Sequence, residues 1–179
     1  KITRATGDFS ADGFVAGQIL FTDNANNPGP FIVETVAALE LTLSAEDVVT
    51  DEAAATTALT AYHDIAEMRD LGGPGGSAAV IDVTHSRSVA KEKRMGLPDE
   101  GDVTFNVNYV PGNKGQVLFR QARTARTKQD FVIVFSDYTT AMFQGFAMEF
   151  RLTGQVDGHW TAAMRCEITG DITWSDIAA

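Results

Sequence analysis

Hydrophobic and polar residues alternate along several stretches of this chain, with the period of a strand that buries one face. The clearest stretches run from Val103 to Tyr109, from Phe146 to Thr153 and from Trp160 to Ile168. In the first third of the chain, residues 39 to 43 alternate in the same way, after short apolar runs cut by turn-forming residues. The pattern predicts a mainly β protein, built as a β-sandwich or an open barrel.

One segment departs from this strand pattern. Within Gln116–Arg126, Leu118, Ala122 and Ala125 recur at helical spacing, which predicts one short amphipathic helix flanking the β structure. The run that follows, Phe131–Phe135, is apolar at every position. Such a run is typical of a central strand covered on both faces.

Stretches rich in Gly and Pro predict the loops. Residues 71 to 77 cannot form a helix or a strand because they contain Pro74 and four glycines, Gly72, Gly73, Gly75 and Gly76. A strand at residues 79–84 follows, and a turn is expected at residues 96–101. Residues 53–61 fit either a helix or a connecting strand, and the pair Asp157-Gly158 predicts a hairpin turn.

Charge is spread unevenly along the chain. The 179 residues include 14 Lys and Arg against 24 Asp and Glu, a net charge of −10. Two bases and nine acids fall in residues 1–52, so this stretch alone carries −7. We therefore expect a small acidic β module at residues 1–52 and a main domain at residues 53–179. Because the chain opens at Lys1 without Met, we also expect that N-terminal sequence precedes it.

Composition and charge narrow the classes of function. With 44% hydrophobic and 21% charged residues, the chain is typical of a folded, soluble protein. The acidic balance argues against sequence-independent binding to DNA, RNA or an anionic membrane. No apolar run approaches the ~20 residues of a membrane span, and residues 1–6 do not resemble a signal peptide.

Motifs for catalysis or metal binding are weak. The three histidines lack the close spacing of a zinc site: His63, His85 and His159. The single Cys166 cannot form an intrachain disulfide, and the alternation places it in the core. The acids Asp99, Glu100 and Asp102 form the one carboxylate cluster that a hydrolase could use, yet three acids in a turn with Pro and Gly are usually just solvated. From the residues alone we expect no cofactor and no metal.

The strongest local positive patch lies on the predicted helix and consists of Arg120, Arg123 and Arg126 with Lys128. Three interpretations stand: a solvated helix face, a site for nucleic acid or an acidic partner, and a contact with the acidic module of another subunit. The net charge of −10 favours the subunit contact over DNA.

An ordered set of residues resembles a known family. A strand-end Asp-x-Thr within Ile81–Ser88 precedes a Gly-Leu-x-Asp-x-Gly turn within Gly96–Val103. A helix opening with Gly115-Gln116-x-Leu118 and a final strand ending at Thr169–Trp174 follow in order. Over roughly residues 59–175, this order is similar to that of the major tail tube proteins of long non-contractile-tailed bacteriophages.

The resemblance implies a β-sandwich-like domain with a flanking helix that assembles as hexameric rings, stacked into a tube through which the genome leaves. It implies a structural protein of the virion tail, and not an enzyme. It also implies assembly in the host cytoplasm, with tape-measure, tail terminator and distal tail proteins as partners. DNA would pass without specific binding. Two assembly sites are expected: a glycine loop ordered at ring-to-ring contacts (Gly72, Gly73, Gly75, Gly76) and the helix patch (Arg120, Arg123, Arg126).

Two alternatives remain open at this point. The chain could form the inner tube of a contractile tail or of a secretion system, whose subunits share the fold. It could also carry a virion β module that binds a host surface ligand, with Phe14, Phe21 and Phe31 as stacking groups unless these phenylalanines form the core of that module.

Overall fold

The computed structural model describes residues 1–22, 29–45, 58–136, 139–154 and 158–175. The chain divides into two compact units, the first spanning Lys1–Ile65 and the second Ala66–Val134 with Thr140–Ser175. The mainly β architecture with one helix, predicted from the alternation, is confirmed.

The first unit contains a five-stranded antiparallel sheet with the strand order β1-β4-β3-β2-β5. Its strands are β1 (Ile2–Thr3), β2 (Ile19–Thr22), β3 (Phe31–Ala37), β4 (Glu40–Leu43) and β5 (Leu59–Tyr62). Alternate side chains bury one core, made of Phe9, Leu20, Phe31, Val33, Leu41 and Leu43.

The first unit continues beyond residue 52, where we expected the acidic module to end, because β5 pairs with β2. For residues 53–61 the sequence fitted either a helix or a strand, and the structure has a strand from Leu59 onward. Residues 53–57 lie outside the described residues. That residues 1–52 form a separate acidic module stays a prediction.

The second unit is built on a second five-stranded antiparallel sheet, with the order β10-β11-β12-β9-β6. In chain order its elements are β6 (Met68–Gly72), β7 (Ser77–Asp82), β8 (Lys93–Asp99), β9 (Asp102–Asn108), α1 (Lys114–Ala125), β10 (Lys128–Val134), β11 (Thr140–Thr153) and β12 (Thr161–Ser175). Strands β7 and β8 form a separate two-stranded ribbon. The predicted hairpin turn between β11 and β12 lies partly outside the described residues.

Helix α1 begins and ends with local capping bonds. The Asn113 side chain accepts a hydrogen bond from the Gln116 backbone N–H at 2.9 Å, which satisfies one of the free donors of the first turn. At the other end Arg126 takes the left-handed conformation (φ 57°), and its N–H bonds to the Ala122 carbonyl. The helix predicted at residues 116–126 is therefore confirmed.

The buried face of α1 differs from the predicted one. Phe119 and Ala122 are buried, whereas Leu118 is exposed. The Phe119 ring packs edge-on against Phe105 of β9 and Phe131 of β10, with ring centroids 5.5 and 6.0 Å apart. Because this aromatic contact sets the rotation of the helix, Leu118 faces away from the core.

Strands form at both predicted runs, residues 131–135 and 146–153, but their surroundings differ from those expected. Strand β10 lies at the edge of the sheet, not at its centre: Phe131 stacks on Phe143 on the helix side, and its apolar run has a strand neighbour on one side only. In β11 the structure buries Phe143 and Ala147 and exposes Phe146, because register shifts on either side of this stretch decide which residues face the helix.

A buried glutamine joins the helix to the sheet. Gln116 is 1% exposed, and its amide Nε2 donates to the carbonyls of Ala66 and Asn108 at 3.0 and 3.1 Å. Its Oε1 accepts from the Val110 N–H at 3.0 Å. One side chain thus satisfies three backbone groups, at the entry to β6 and at the end of β9, and these groups would otherwise be buried without partners.

We predict that Gln116→Leu destabilises the second unit by about 3 kcal/mol, because it leaves three backbone groups unpaired. Gln121→Leu, an exposed position on the same helix, should change stability by no more than about 0.5 kcal/mol. Urea unfolding followed by Trp fluorescence measures this unit, since both tryptophans, Trp160 and Trp174, lie in it. Equal stability of the two variants would contradict the assigned role of Gln116.

Candidate functional site

The β7–β8 ribbon extends the β6–β9 strand pair outward. Gly72 of β6 lies opposite Thr104 of β9, and Ser77 of β7 lies opposite Asp99 of β8. The chain therefore leaves the edge of the sheet after Gly72 and returns to it at Asp102. The turn predicted at residues 96–101 was wrong for its first part, because β8 runs through Gly96 and Pro98 to Asp99.

Apolar side chains of the ribbon are exposed to an unusual degree for a soluble unit. Val89 is 104% exposed, Leu97 92% and Met95 77%. Val80 is 66% exposed and Ile81 is 50% exposed. Neither strand has a buried residue. The ribbon thus has apolar surface with nothing in the described chain to cover it.

Hydrogen bonds order the tip of the ribbon. The Thr84 hydroxyl donates to the Asp82 carboxylate and accepts from the Glu92 N–H at 3.0 Å. The Ser88 hydroxyl accepts from the His85 N–H at 3.1 Å. Hydrogen bonds from Thr84, first from its side chain and then from its backbone, hold the pKa of Asp82 below its usual 3.8. The Asp-x-Thr motif therefore acts as a turn-forming group that presents the tip in one shape.

The four glycines of the predicted loop have different surroundings. Gly72 lies within β6, where a Cβ atom would approach the Thr104 hydroxyl to 2.6 Å. At Gly76 a Cβ would come within 2.5 Å of the Asp99 carbonyl, whereas Gly73 and Gly75 have open space around them. Close backbone packing at the root of the ribbon therefore requires glycine at position 76 but not at 73.

The sheet face turned away from helix α1 is mainly polar, although the exposed Phe146 also lies on it, opposite Lys128 and Glu167, and we call it the polar face. Asn106 donates to Asp70 at 2.8 Å and Gln144 donates to Asp130 at 2.7 Å, each across neighbouring strands. Cross-strand register places eight charged residues on this face, five acids and three bases: Asp70, Asp102, Asp130, Glu149, Glu167, Lys128, Arg151 and Arg165.

The predicted helix patch is exposed, and two of its arginines also make contacts within the subunit. The Arg123 Nε donates to the Met148 carbonyl at 3.2 Å, beside a bulge in β11, and Arg126 caps the helix through its backbone. Arg120 lines a shallow depression with Gln121, Thr124 and Ala125. None of the three pairs with a carboxylate within the described residues.

Two of the three carboxylates that a hydrolase could have used, Asp99 and Asp102, make structural contacts. Asp99 accepts from the Gly101 N–H at 3.0 Å, and Asp102 lies 3.6 Å from Arg165. Among the residues described, no three His, Cys, Asp or Glu side chains are grouped as metal ligands. Cys166 is buried as predicted, and burial, followed by the charge of Glu167, raises its pKa to about 12.

The phenylalanines proposed as stacking groups for a host ligand serve the first unit itself. Phe31 is a core residue, Phe14 packs edge-on against Phe9, and Phe21 packs edge-on against Tyr62. In the described part of the chain, no helix is long and apolar enough to cross a membrane.

Known proteins provide a second line of evidence on what this chain is. Residues 36–175 match the model of the lambda phage tail tube protein family. The chain belongs to this family. The resemblance inferred from the ordered motifs is therefore confirmed, and the protein has a structural role in the tail tube of a virion. The matched region begins in β3, ahead of residue 53, where we expected the main domain to start.

Two solved structures are similar to this tail tube protein. A chain from the tail of an empty GTA particle, determined with C6 symmetry, superposes with a TM-score of 0.54 at 14% identity, covering 63% of this chain and 84% of that one. A chain from the cryo-EM structure of the anti-feeding prophage (AFP) baseplate superposes with a TM-score of 0.46 at 7% identity, covering 91% and 95%. The first match shows a shared fold. No curated protein sequence matches.

Sequence reasoning missed the exposed ribbon and the role of Gln116. A usable signal was present for the ribbon, because Val80, Ile81, Met95 and Leu97 put apolar residues on both faces of two short strands. No signal marked Gln116 as buried, since a glutamine in a helix is ordinarily a solvated residue.

We predict that Gly76→Ala destabilises the base of the β7–β8 ribbon, because the new Cβ meets the Asp99 carbonyl. The free energy of opening the ribbon should fall by at least about 1 kcal/mol. Hydrogen exchange of residues 77–99 should quicken roughly fivefold. Gly73→Ala is the matched control and should leave exchange unchanged. Equal exchange in the two variants would show that root packing does not depend on Gly76.

Proposed function

We propose that this tail tube protein assembles as hexameric rings, that the rings stack into a tube, and that the β7–β8 ribbon docks on a second copy. The exposed ribbon carries the proposal. A two-stranded ribbon by itself is marginally stable in water. Its apolar side chains, Leu97 and Met95 above all, gain stability only when another surface removes them from water.

Charge supports a second copy as the occupant. The ribbon tip is basic, with Arg87, Lys91, Lys93 and Arg94 against Asp82 and Glu92, whereas the whole chain carries −10. Another subunit therefore offers an acidic surface to the tip. Because the ribbon and the surface that receives it are different parts of the subunit, the contact is head-to-tail, and such contacts propagate into rings or filaments.

The polar face is the surface best suited to line the channel for DNA. Helix α1 thickens one side of the sheet, and a curved wall accommodates its thicker layer on the outside, where the circumference is larger. The inner side would then carry five acids against three bases, while the helix patch of arginines faces outward. An acidic wall repels phosphates at short range, so DNA can pass without being held.

The other assembly contacts remain part of the proposal. The edge strands β10 and β6 would pair across subunits, which removes exposed strand edges. The helix patch would meet acids of a neighbouring subunit, and the glycines at positions 72, 73, 75 and 76 would order where rings meet. Tape-measure, tail terminator and distal tail proteins would be further partners of the tube, which would assemble in the host cytoplasm.

We predict that Met95→Ser combined with Leu97→Ser blocks assembly and leaves the subunit folded. Losing two apolar anchors should raise the concentration needed for tubes by roughly a hundredfold or more. Val15→Ser, an exposed apolar position in the first unit, is the control. Negative-stain electron microscopy and sedimentation velocity over a concentration series measure the result, and normal tubes from the double variant would contradict ribbon docking.

We predict that Arg120→Glu combined with Arg126→Glu raises the concentration for assembly at least roughly tenfold, through repulsion from acids of the neighbouring subunit. Arg123 is left in place because it bonds to Met148 within the subunit. Lys114→Glu reverses a charge on the same helix outside the patch. If both variants assemble like the wild type, the patch is a solvated helix face.

A further inference from the structure

The middle of the polar face holds one arginine among carboxylates. Strand β12 is central in the sheet, and Arg165 lies on it. Its guanidinium NH1 is 3.0 Å from a Glu167 oxygen and 3.6 Å from an Asp102 oxygen. Glu149 lies directly opposite Arg165 on β11. Three acids therefore surround one cation, on three adjacent strands.

This cluster contributes little to fold stability. The side chains of Arg165, Asp102 and Glu167 remain 37%, 41% and 44% exposed, and ion pairs at such exposure stabilise a protein by about 0–1 kcal/mol. The same exposure leaves the guanidinium within reach of a passing ligand. A bare arginine on this surface would be a strong phosphate-binding group, because guanidinium matches phosphate geometry.

The other two cations of the polar face occupy different positions. Lys128 lies on the edge strand β10, and Arg151 lies in the outer half of β11, toward its end. Arg165 is thus the cation that DNA would meet at the middle of each subunit. In a ring it would be repeated in every copy, so that even weak binding by one guanidinium would multiply around the circumference.

We propose that Asp102 and Glu167 neutralise Arg165 and so keep the channel wall from binding the DNA backbone. This inference rests on the proposed function, in which the polar face lines the channel. Both carboxylates contact the same guanidinium nitrogen, NH1, so they occupy that nitrogen and lower the positive potential that a phosphate oxygen would meet at Arg165. Arg165 in return prevents repulsion among Asp102, Glu149 and Glu167, and this allows an acidic surface to sit on adjacent strands.

The test compares assembled tubes of the wild type and three variants. Electron microscopy first checks that each protein forms tubes. The unshielded variant is Asp102→Asn with Glu167→Gln, and the rescue variant adds Arg165→Gln. The charge control is Glu34→Gln with Glu100→Gln, which makes the same change in charge without altering a partner of Arg165. Tubes are mixed with linear duplex DNA at about 0.05 M salt, sedimented, and assayed for retained DNA.

We expect the unshielded tubes to retain roughly fivefold more DNA than wild-type or control tubes, with retention lost at higher salt, and the rescue variant to return to the wild-type level. Retention equal to the control, or undiminished in the rescue variant, would overturn the inference. Absence of tubes from the wild type would instead refute the proposed function.

A second measurement does not depend on assembly. Fluorescence anisotropy of a short labelled duplex with unassembled subunits should show stronger binding by the unshielded variant than by the rescue variant. Equal affinities would overturn the shielding of Arg165 even if the unshielded protein formed no tubes.

Discussion

The hydrogen bonds of Gln116 place helix α1 on the sheet, and the other features of the second unit depend on that placement. A buried amide that bonds to Ala66, Asn108 and Val110 has one geometry in which all three bonds form. Moving the helix by one residue would leave these groups unpaired in a dry environment, at a cost of about 1–3 kcal/mol each. The helix therefore has a single register against β9 and the entry to β6.

This register separates the unit into two surfaces of different character. With Phe119 and Ala122 turned inward, the arginines at 120, 123 and 126 face solvent on the helix side. On the opposite side of the sheet, side chains form hydrogen bonds to one another across strands, as Asn106 does to Asp70. In the proposed tube, the helix side faces outward and the opposite side lines the channel for DNA.

The ribbon shows how a structural protein can be incomplete as a single chain. Leu97 and Met95 have no cover in the described residues, yet the hydrogen bonds of Thr84 and Ser88 hold the tip in one shape. An arm ordered before binding loses less entropy on docking than a flexible one. Glycine at position 76 permits the close packing from which this arm emerges.

The predictions that were correct came from patterns among residues that are close together in the sequence. Strand alternation established the β class, and the position of Cys166 in its strand placed it in the core. The spacing of Leu118, Ala122 and Ala125 indicated the helix. The ordered motifs between residues 81 and 174 were sufficient for the family. Such patterns involve residues that are close together in the sequence, so they can be recognised before the fold is known.

Tertiary structure decided the rest, because contacts between distant segments overrode the local patterns. Phe119 displaced Leu118 from the core through rings on β9 and β10. Register shifts in β11 exposed Phe146, and strand order put the apolar β10 at an edge. Arg165 met Asp102 only once β9 and β12 paired, since no spacing in the sequence joins residue 102 to residue 165.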